Sequence, residues 1–217
     1  MGVQILNKDV SVISSVLNKP KASISSIFGI GGWAGGGGGP ASQGPLEPAT
    51  AVSTYSPIGG SPPPWNNLTN FISSDAYTTS GLPGYQGGGN LDAASNYLEV
   101  KNFGFSIPTG ATINGIVVTL YRNADDGGIY DYNAAIIKDD VIGSEDKSNP
   151  NEWLFSGAPN EQVTYGGSSD LWGETWSVSD INSNKFGFAL SAINLYGNKF
   201  PLNCRVQIVR ITVHYTT

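Results

Sequence analysis

The chain has 217 residues, of which 13% are charged, with 29 glycines and 13 prolines. So few charges and so many turn formers argue for an all-β fold with long loops and against a helical one. A net charge of −6 and a pI near 4.6 disfavour binding to nucleic acid or to anionic membranes.

Residues 1–31 carry a weak repeat. Ile13-Ser14-Ser15-Val16-Leu17-Asn18 returns as Ile24-Ser25-Ser26-Ile27-Phe28-Gly29, with Pro20 between the copies. The spacing of Ile13, Val16 and Leu17, and of Ile24, Ile27 and Phe28, fits a helical turn. The β-branched and serine content fits short strands instead, and the pattern leaves both open. The segment is too short for a core of its own. It reads as an anchoring arm whose apolar residues Ile13, Val16, Leu17, Ile24, Ile27 and Phe28 pack on another surface. There is no basic stretch followed by an apolar core to suggest a secretory leader, and no apolar run long enough to span a membrane.

Residues 32–64 read as a Gly-, Pro- and Ser-rich linker, because glycine raises the entropic cost of ordering. Gly29-Ile30-Gly31-Gly32-Trp33-Ala34 superficially matches a dinucleotide fingerprint. That motif needs a helix after it, and five glycines and Pro40 follow instead.

Residues 65–217 read as one antiparallel β-sandwich, jelly-roll-like in character. Phe103, Phe105 and Ile107 alternate with period two up to the turn Ile107-Pro108-Thr109-Gly110. A β-branched run from Ile113 to Leu120 follows. These are strand and turn signals. Strands are predicted at Leu68–Ile72, Tyr77–Thr79, Tyr97–Ile107, Ala111–Arg122, Tyr132–Lys138, Val163–Tyr165, Phe186–Asn194 and Arg205–Tyr215. The last run changes phase near Val209-Arg210, which predicts a bulge. Asp180-Ile181-Asn182 suits a short helical turn. Cys204 lies in a strand pattern and reads as a small buried hydrophobe. As the single cysteine beside a single histidine, His214, it makes neither a disulfide nor a zinc cluster.

No catalytic constellation emerges. His214 sits in the final strand and reads as projecting from a sheet face, and no pair of carboxylates is singled out by context. The chain reads as a non-enzyme that needs no cofactor. Asp125, Asp126 and Asp131 form an acidic turn that could offer calcium oxygen ligands, although an ordinary hairpin turn is the simpler reading. Asp139, Asp140, Glu145 and Asp146 repeat the ambiguity. Trp172 and Trp176 read as plugs under long loops. Tyr85, Tyr130 and Trp153 are candidate glycan contacts, because an aromatic face complements the apolar face of a sugar ring.

Several phrases resemble a segment common in structural proteins of tailed bacteriophages. They are Tyr97-Leu98 leading to Phe103-Gly104-Phe105-Ser106-Ile107-Pro108-Thr109-Gly110-Ala111-Thr112-Ile113-Asn114-Gly115-Ile116, then Tyr165-Gly166-Gly167-Ser168-Ser169-Asp170-Leu171-Trp172-Gly173, Phe186-Gly187-Phe188 and Val209-Arg210-Ile211-Thr212-Val213-His214-Tyr215. Ala22-Ser23-Ile24-Ser25-Ser26-Ile27-Phe28-Gly29-Ile30 is similar to leader segments of such virion proteins. The resemblance covers most of residues 8–30 and 65–217 and brings no catalytic residue. It implies a capsid decoration, head-fibre or tail accessory protein on the particle exterior, held by its arm to major capsid or tail proteins. Particle symmetry implies a homo-oligomer, a trimer being one form. A host-surface carbohydrate-binding adhesin is the alternative, and a glycan hydrolase ranks below it.

Overall fold

The alternation of apolar and polar residues along the longest strands builds two facing sheets. The computed structural model describes residues 39–55, 62–69, 78–82, 94–155, 160–195 and 202–217. Among the described residues the strands are β1 (Pro40–Leu46), β2 (Thr50–Thr54), β3 (Thr78–Leu82), β4 (Tyr97–Lys101), β5 (Thr112–Ala124), β6 (Ile129–Lys138), β7 (Val141–Ile142), β8 (Glu161–Gly167), β9 (Gly187–Asn194) and β10 (Leu202–Thr216), with one short helix, α1 (Val178–Ile181).

The first sheet runs β1-β10-β5-β8, and β3 joins the same edge of β10 as β1, further along. The second runs β2-β4-β9-β6-β7. Every strand pair is antiparallel. Apart from the β6–β7 hairpin, successive strands alternate between the sheets, which is the jelly-roll-like arrangement expected. Ile116, Val118, Leu120, Val206, Ile211 and Val213 of the first sheet meet Leu98, Val100, Ile136, Phe188 and Leu190 of the second. All are at most 1% exposed, so burying each contributes about 1.5–3 kcal/mol.

Several expectations hold in detail. The phase change in β10 is a register shift between Gln207 and Arg210, with Ile208 in the left-handed region at φ 48°. Val209 thereby turns into the core beside Val206. α1 forms where a helical turn was read. Ser177 caps it: its Oγ accepts from Asp180 N, and Asp180 in turn accepts from Ser177 N. Cys204 is buried.

Others are corrected. The expected 32–64 linker contains β1 and β2, which pair with β10 and β4, so the compact unit is Gly39–Thr217. Glycine and proline count against a strand only where a ladder bond is lost, and edge strands tolerate them. Tyr97–Ile107 is not one strand. It leaves the ladder after Lys101, where Asn102 (φ 61°) and Gly104 (φ 71°) turn the backbone. Leu68 and Thr69 form a turn rather than the start of a strand. The arm residues Ile13, Val16, Leu17, Ile24, Ile27 and Phe28 lie outside the described residues.

Phe103, Phe105 and Ile107 nonetheless alternate as expected, buried against exposed neighbours. They roof the core, with Phe105 and Phe186 meeting edge to face at 5.8 Å. Among the described residues no strand pairs with them. Side-chain amides take that place. Asn182 Oδ1 accepts from Ile107 N at 2.8 Å and Asn182 Nδ2 donates to Ile107 O at 2.9 Å. Gln43 does the same for Ser106 N and Oγ.

Asn182→Ala removes both bonds and leaves two backbone groups of a core-roofing segment without partners. We expect a loss of about 1–3 kcal/mol in urea unfolding. Gln43→Ala, whose bonds are exposed, should lose less.

Candidate functional site

The most polar place in the interior lies between the sheets. Arg122 on β5 is 1% exposed. Its Nη1 donates to Asp131 Oδ1 on β6 at 2.6 Å, its Nε to Glu161 Oε2 on β8 at 2.9 Å, and its Nη2 to Asn151 O at 3.4 Å. The guanidinium stacks on the Trp153 ring, 5.3 Å from its centroid. Asp131 also accepts from Trp153 Nε1 (2.8 Å), Tyr165 Oη (2.9 Å) and Asn149 N (2.8 Å). Burial first, and then the Asp131 carboxylate, push the Tyr165 hydroxyl well above its usual range. Every polar group named is bonded to another group of the protein. The network joins the two sheets, with Glu161 at its partly exposed edge.

This corrects two site expectations. Trp153 is 1% exposed and belongs to the core, so it is no sugar platform. Asp125, Asp126 and Asp131 do not converge. Asp125 pairs with Arg205 and accepts from Asn203 Nδ2; partial burial raises its carboxyl, but the hydrogen bonds from Asn203 and Arg205 and the Arg205 charge outweigh it and hold the carboxyl below the usual range. Asp126 accepts from Gly127 N at 2.8 Å, and Asp131 lies in the interior. Among the described residues no group of three or more His, Cys, Asp or Glu side chains could hold a metal ion. In the second acidic loop, Asp139 and Asp140 pair with Lys185 and Lys101, and Lys147 bridges Glu145 and Asp170.

Trp172 and Trp176 are plugs. Trp172 donates to Ile116 O at 3.0 Å and meets Phe188 edge to face at 6.1 Å. Gly166, at φ 72°, makes room for it, since a Cβ there would lie 2.6 Å from Trp172 Nε1. Trp176 donates to Leu171 O and meets Phe186 at 5.4 Å. His214 follows the core residue Val213 on β10 and lines a shallow hollow with Pro40, Asn114 and Ser168. Tyr85 lies outside the described residues.

Tyr130, the remaining expected contact, sits half-buried on a surface that sequence reasoning did not assemble. Along β4, β6 and β9, every second residue faces away from the main core. Tyr97, Ile137 and Ala189 form one small cluster there, and Ala94 and Ile193 with Tyr130 and Tyr132 form another. A register shift between Asp131 and Asn133 inserts one extra residue between two inward-facing ones, Asp131 and Ala134. Tyr132 and Asn133 therefore both lie on the outer side. Burial, then Tyr132 and Asp146 close by, raise the Tyr97 hydroxyl above its ordinary range. Glu99, across from Val52, accepts from Thr54 Oγ1 and pairs with Lys101 at 3.3 Å. Period two could have paired Tyr97 with Glu99, and Tyr130 with Tyr132. Which strands would lie side by side was not in the pattern.

Two outcomes follow from the interior network. Arg122→Met alone should destabilise by about 3–5 kcal/mol, because Asp131 is left charged and buried. Arg122→Met with Asp131→Leu should recover much of that in guanidinium unfolding. Tyr165 folds in its protonated form, so its contribution is present below its unfolded pKa of about 10. It is lost as pH rises through the higher folded value. Tyr165→Phe should flatten that alkaline limb of the stability–pH curve.

No protein-family model and no curated protein sequence matches the chain. Among solved structures it is similar to the N-terminal cellulose-binding domain of Cellulomonas fimi β-1,4-glucanase C. That likeness has 13% identity and a TM-score of 0.35, over 75% of this chain and 86% of that one. At that score it bears on neither fold nor function, and the two-sheet assignment stands on the strand pairing itself.

Proposed function

We propose that the chain is a non-enzymatic structural protein of a tailed-bacteriophage particle. Residues ahead of Gly39 attach it to capsid or tail proteins, and the Gly39–Thr217 sandwich is carried on the exterior. Copies follow the symmetry of the particle as a homo-oligomer. One observation carries this reading: the phrases that resemble phage structural proteins fall on fold-making parts. Phe103–Gly110 is the roof held by Asn182, Tyr165–Gly173 seats the buried Trp172, and Val209–Tyr215 lies in the long strand β10. A second feature supports a non-catalytic role. The buried Arg122, Asp131 and Tyr165 are bonded to one another rather than turned to a cleft.

Deleting residues 1–38 tests the attachment. The shortened protein keeps β1 and so should retain a cooperative unfolding transition, while its level on purified particles falls to background. Incorporation equal to that of the full chain would refute the attachment role.

A second reading, recognition of a host-surface glycan, is favoured by Tyr130 and Tyr132, both half-buried on the outer face of the second sheet. Aromatic rings set beside polar groups suit a ligand with alternating apolar and hydroxylated surfaces. In a pull-down with isolated bacterial surface polysaccharide, the full chain should be retained. Passage through unretarded would count against this reading and leave the structural one intact.

A further inference from the structure

We infer that the outer edge of strand β8, Glu161–Tyr165, pairs with the same strand of a second copy of the chain about a two-fold axis through Val163. The inference rests on the homo-oligomer of the structural reading above and names its interface.

β8 ends the first sheet, bonded on one side to β5. Ile116 N bonds Asp170 O, and Ile116 O lies only 2.3 Å from where a Cβ on Gly166 would stand, so Ile116 turns both backbone groups toward β8. Alternation turns those of Val118, Leu120 and Arg122 the same way, onto Tyr165, Val163 and Glu161. The amides and carbonyls of Gln162 and Thr164 therefore point out of the sheet. Neither residue makes a backbone bond outside the ladder among the described residues, and both are exposed. An open row of backbone groups is a template for another strand, and sheet edges are commonly blunted against this by proline, bulges, short length or cover. Strands β1, β2 and β7 show such devices. β1 carries Pro40 and Pro45 and a register shift after Gln43, β7 has two residues, and Trp65 N donates to Ser53 Oγ on β2 at 3.0 Å. From Glu161 to Tyr165, β8 has no proline, no lysine and no register shift. Its one charge, Glu161, accepts from Arg122 Nε at 2.9 Å.

The occupant follows from the register. Set antiparallel about an axis through Val163, Gln162 of each copy faces Thr164 of the other, and each such pair exchanges both of its N–H···O bonds. Glu161 then meets Tyr165 rather than a second Glu161, so no like charges oppose each other. On the outer face Tyr121 Oη donates to Gln162 Oε1 at 3.2 Å. That bond holds the Gln162 amide beside the incoming Thr164 hydroxyl, which can both donate and accept. Every group that the edge offers is thus answered by the same edge reversed, which is what an isologous contact requires. β5 and β10 lie behind β8 in both copies, so the two first sheets join into one. With few residues a side the contact is small, and the pairing belongs to the weak, reversible class.

Sedimentation equilibrium of the full chain up to about 200 µM tests the pairing. A reversible dimer is expected. Thr164→Pro removes the outward amide without touching the β5 ladder, and Thr164→Lys sets a charge on the edge. Each should weaken self-association roughly tenfold or more, while the unfolding midpoint stays near that of the parent. Should Thr164→Pro lower the midpoint, Thr164→Lys alone decides. Mixed under mild oxidation, Gln162→Cys and Thr164→Cys should link to each other, because hydrogen-bonded cross-strand pairs lie about 5.5 Å apart at Cα, within disulfide reach. Neither variant should link to itself. A monomer throughout the range, or association that Thr164→Lys leaves unchanged, overturns the interface. So does cross-linking of each variant to itself but not to the other. All of these leave the attachment of residues 1–38 to the particle standing, which the deletion above tests separately.

Discussion

The Arg122–Asp131 pair is the constraint around which the rest of the sandwich is arranged. It spans from the first sheet to the second through the hydrophobic core. An ion pair with both side chains fully buried survives only if every remaining donor and acceptor is also bonded. That requirement recruits Glu161 and Tyr165 from β8 and Trp153, Asn149 and Asn151 from the segment before it. Strand β5 must then sit between β8 and β10, and β6 must oppose it in one register. Hydrophobic burial supplies most of the favourable free energy. The pair makes misaligned sheet stackings expensive, because sliding by one residue would leave both charges unmatched.

The same logic of substitute partners recurs at the roof. Phe103 to Ile107 needs strand-like hydrogen bonding but lies beyond the end of the ladder. Two amide side chains, from β1 and from just after α1, supply it. Trp172 and Trp176 close the flank next to it. Their outer faces are covered by Lys147 and Lys138, each 5.4 Å from a ring centre. The sandwich is sealed by single, specific side chains where strands run out.

Much of this was legible in the chain. Period-two alternation in Ile113–Leu120 and in the last strand marked the core, and the phase slip there marked a real bulge. The β1 and β2 strands were hidden because their glycines and prolines look like linker, and edge pairing leaves no trace in composition. Trp153 misled because a tryptophan beside acidic loops looks exposed. Its partner Arg122 lies on another strand, and only the fold brings them together. Asp125, Asp126 and Asp131 are near neighbours in sequence, yet alternation sends Asp131 inward while Asp126 stays in the turn. The tyrosine face was invisible for the converse reason: its members come from β4 and β6, with β9 between them.

Pro40 and Thr216 are register partners, so the sandwich is entered and left at one pole. The other pole holds the 125–128 turn and the exposed Leu154, Phe155 and Leu195. Residues 40 and 216 of this unit therefore lie side by side, opposite that turn. Strands β5 and β10 run the length of the Gly39–Thr217 unit between these two poles.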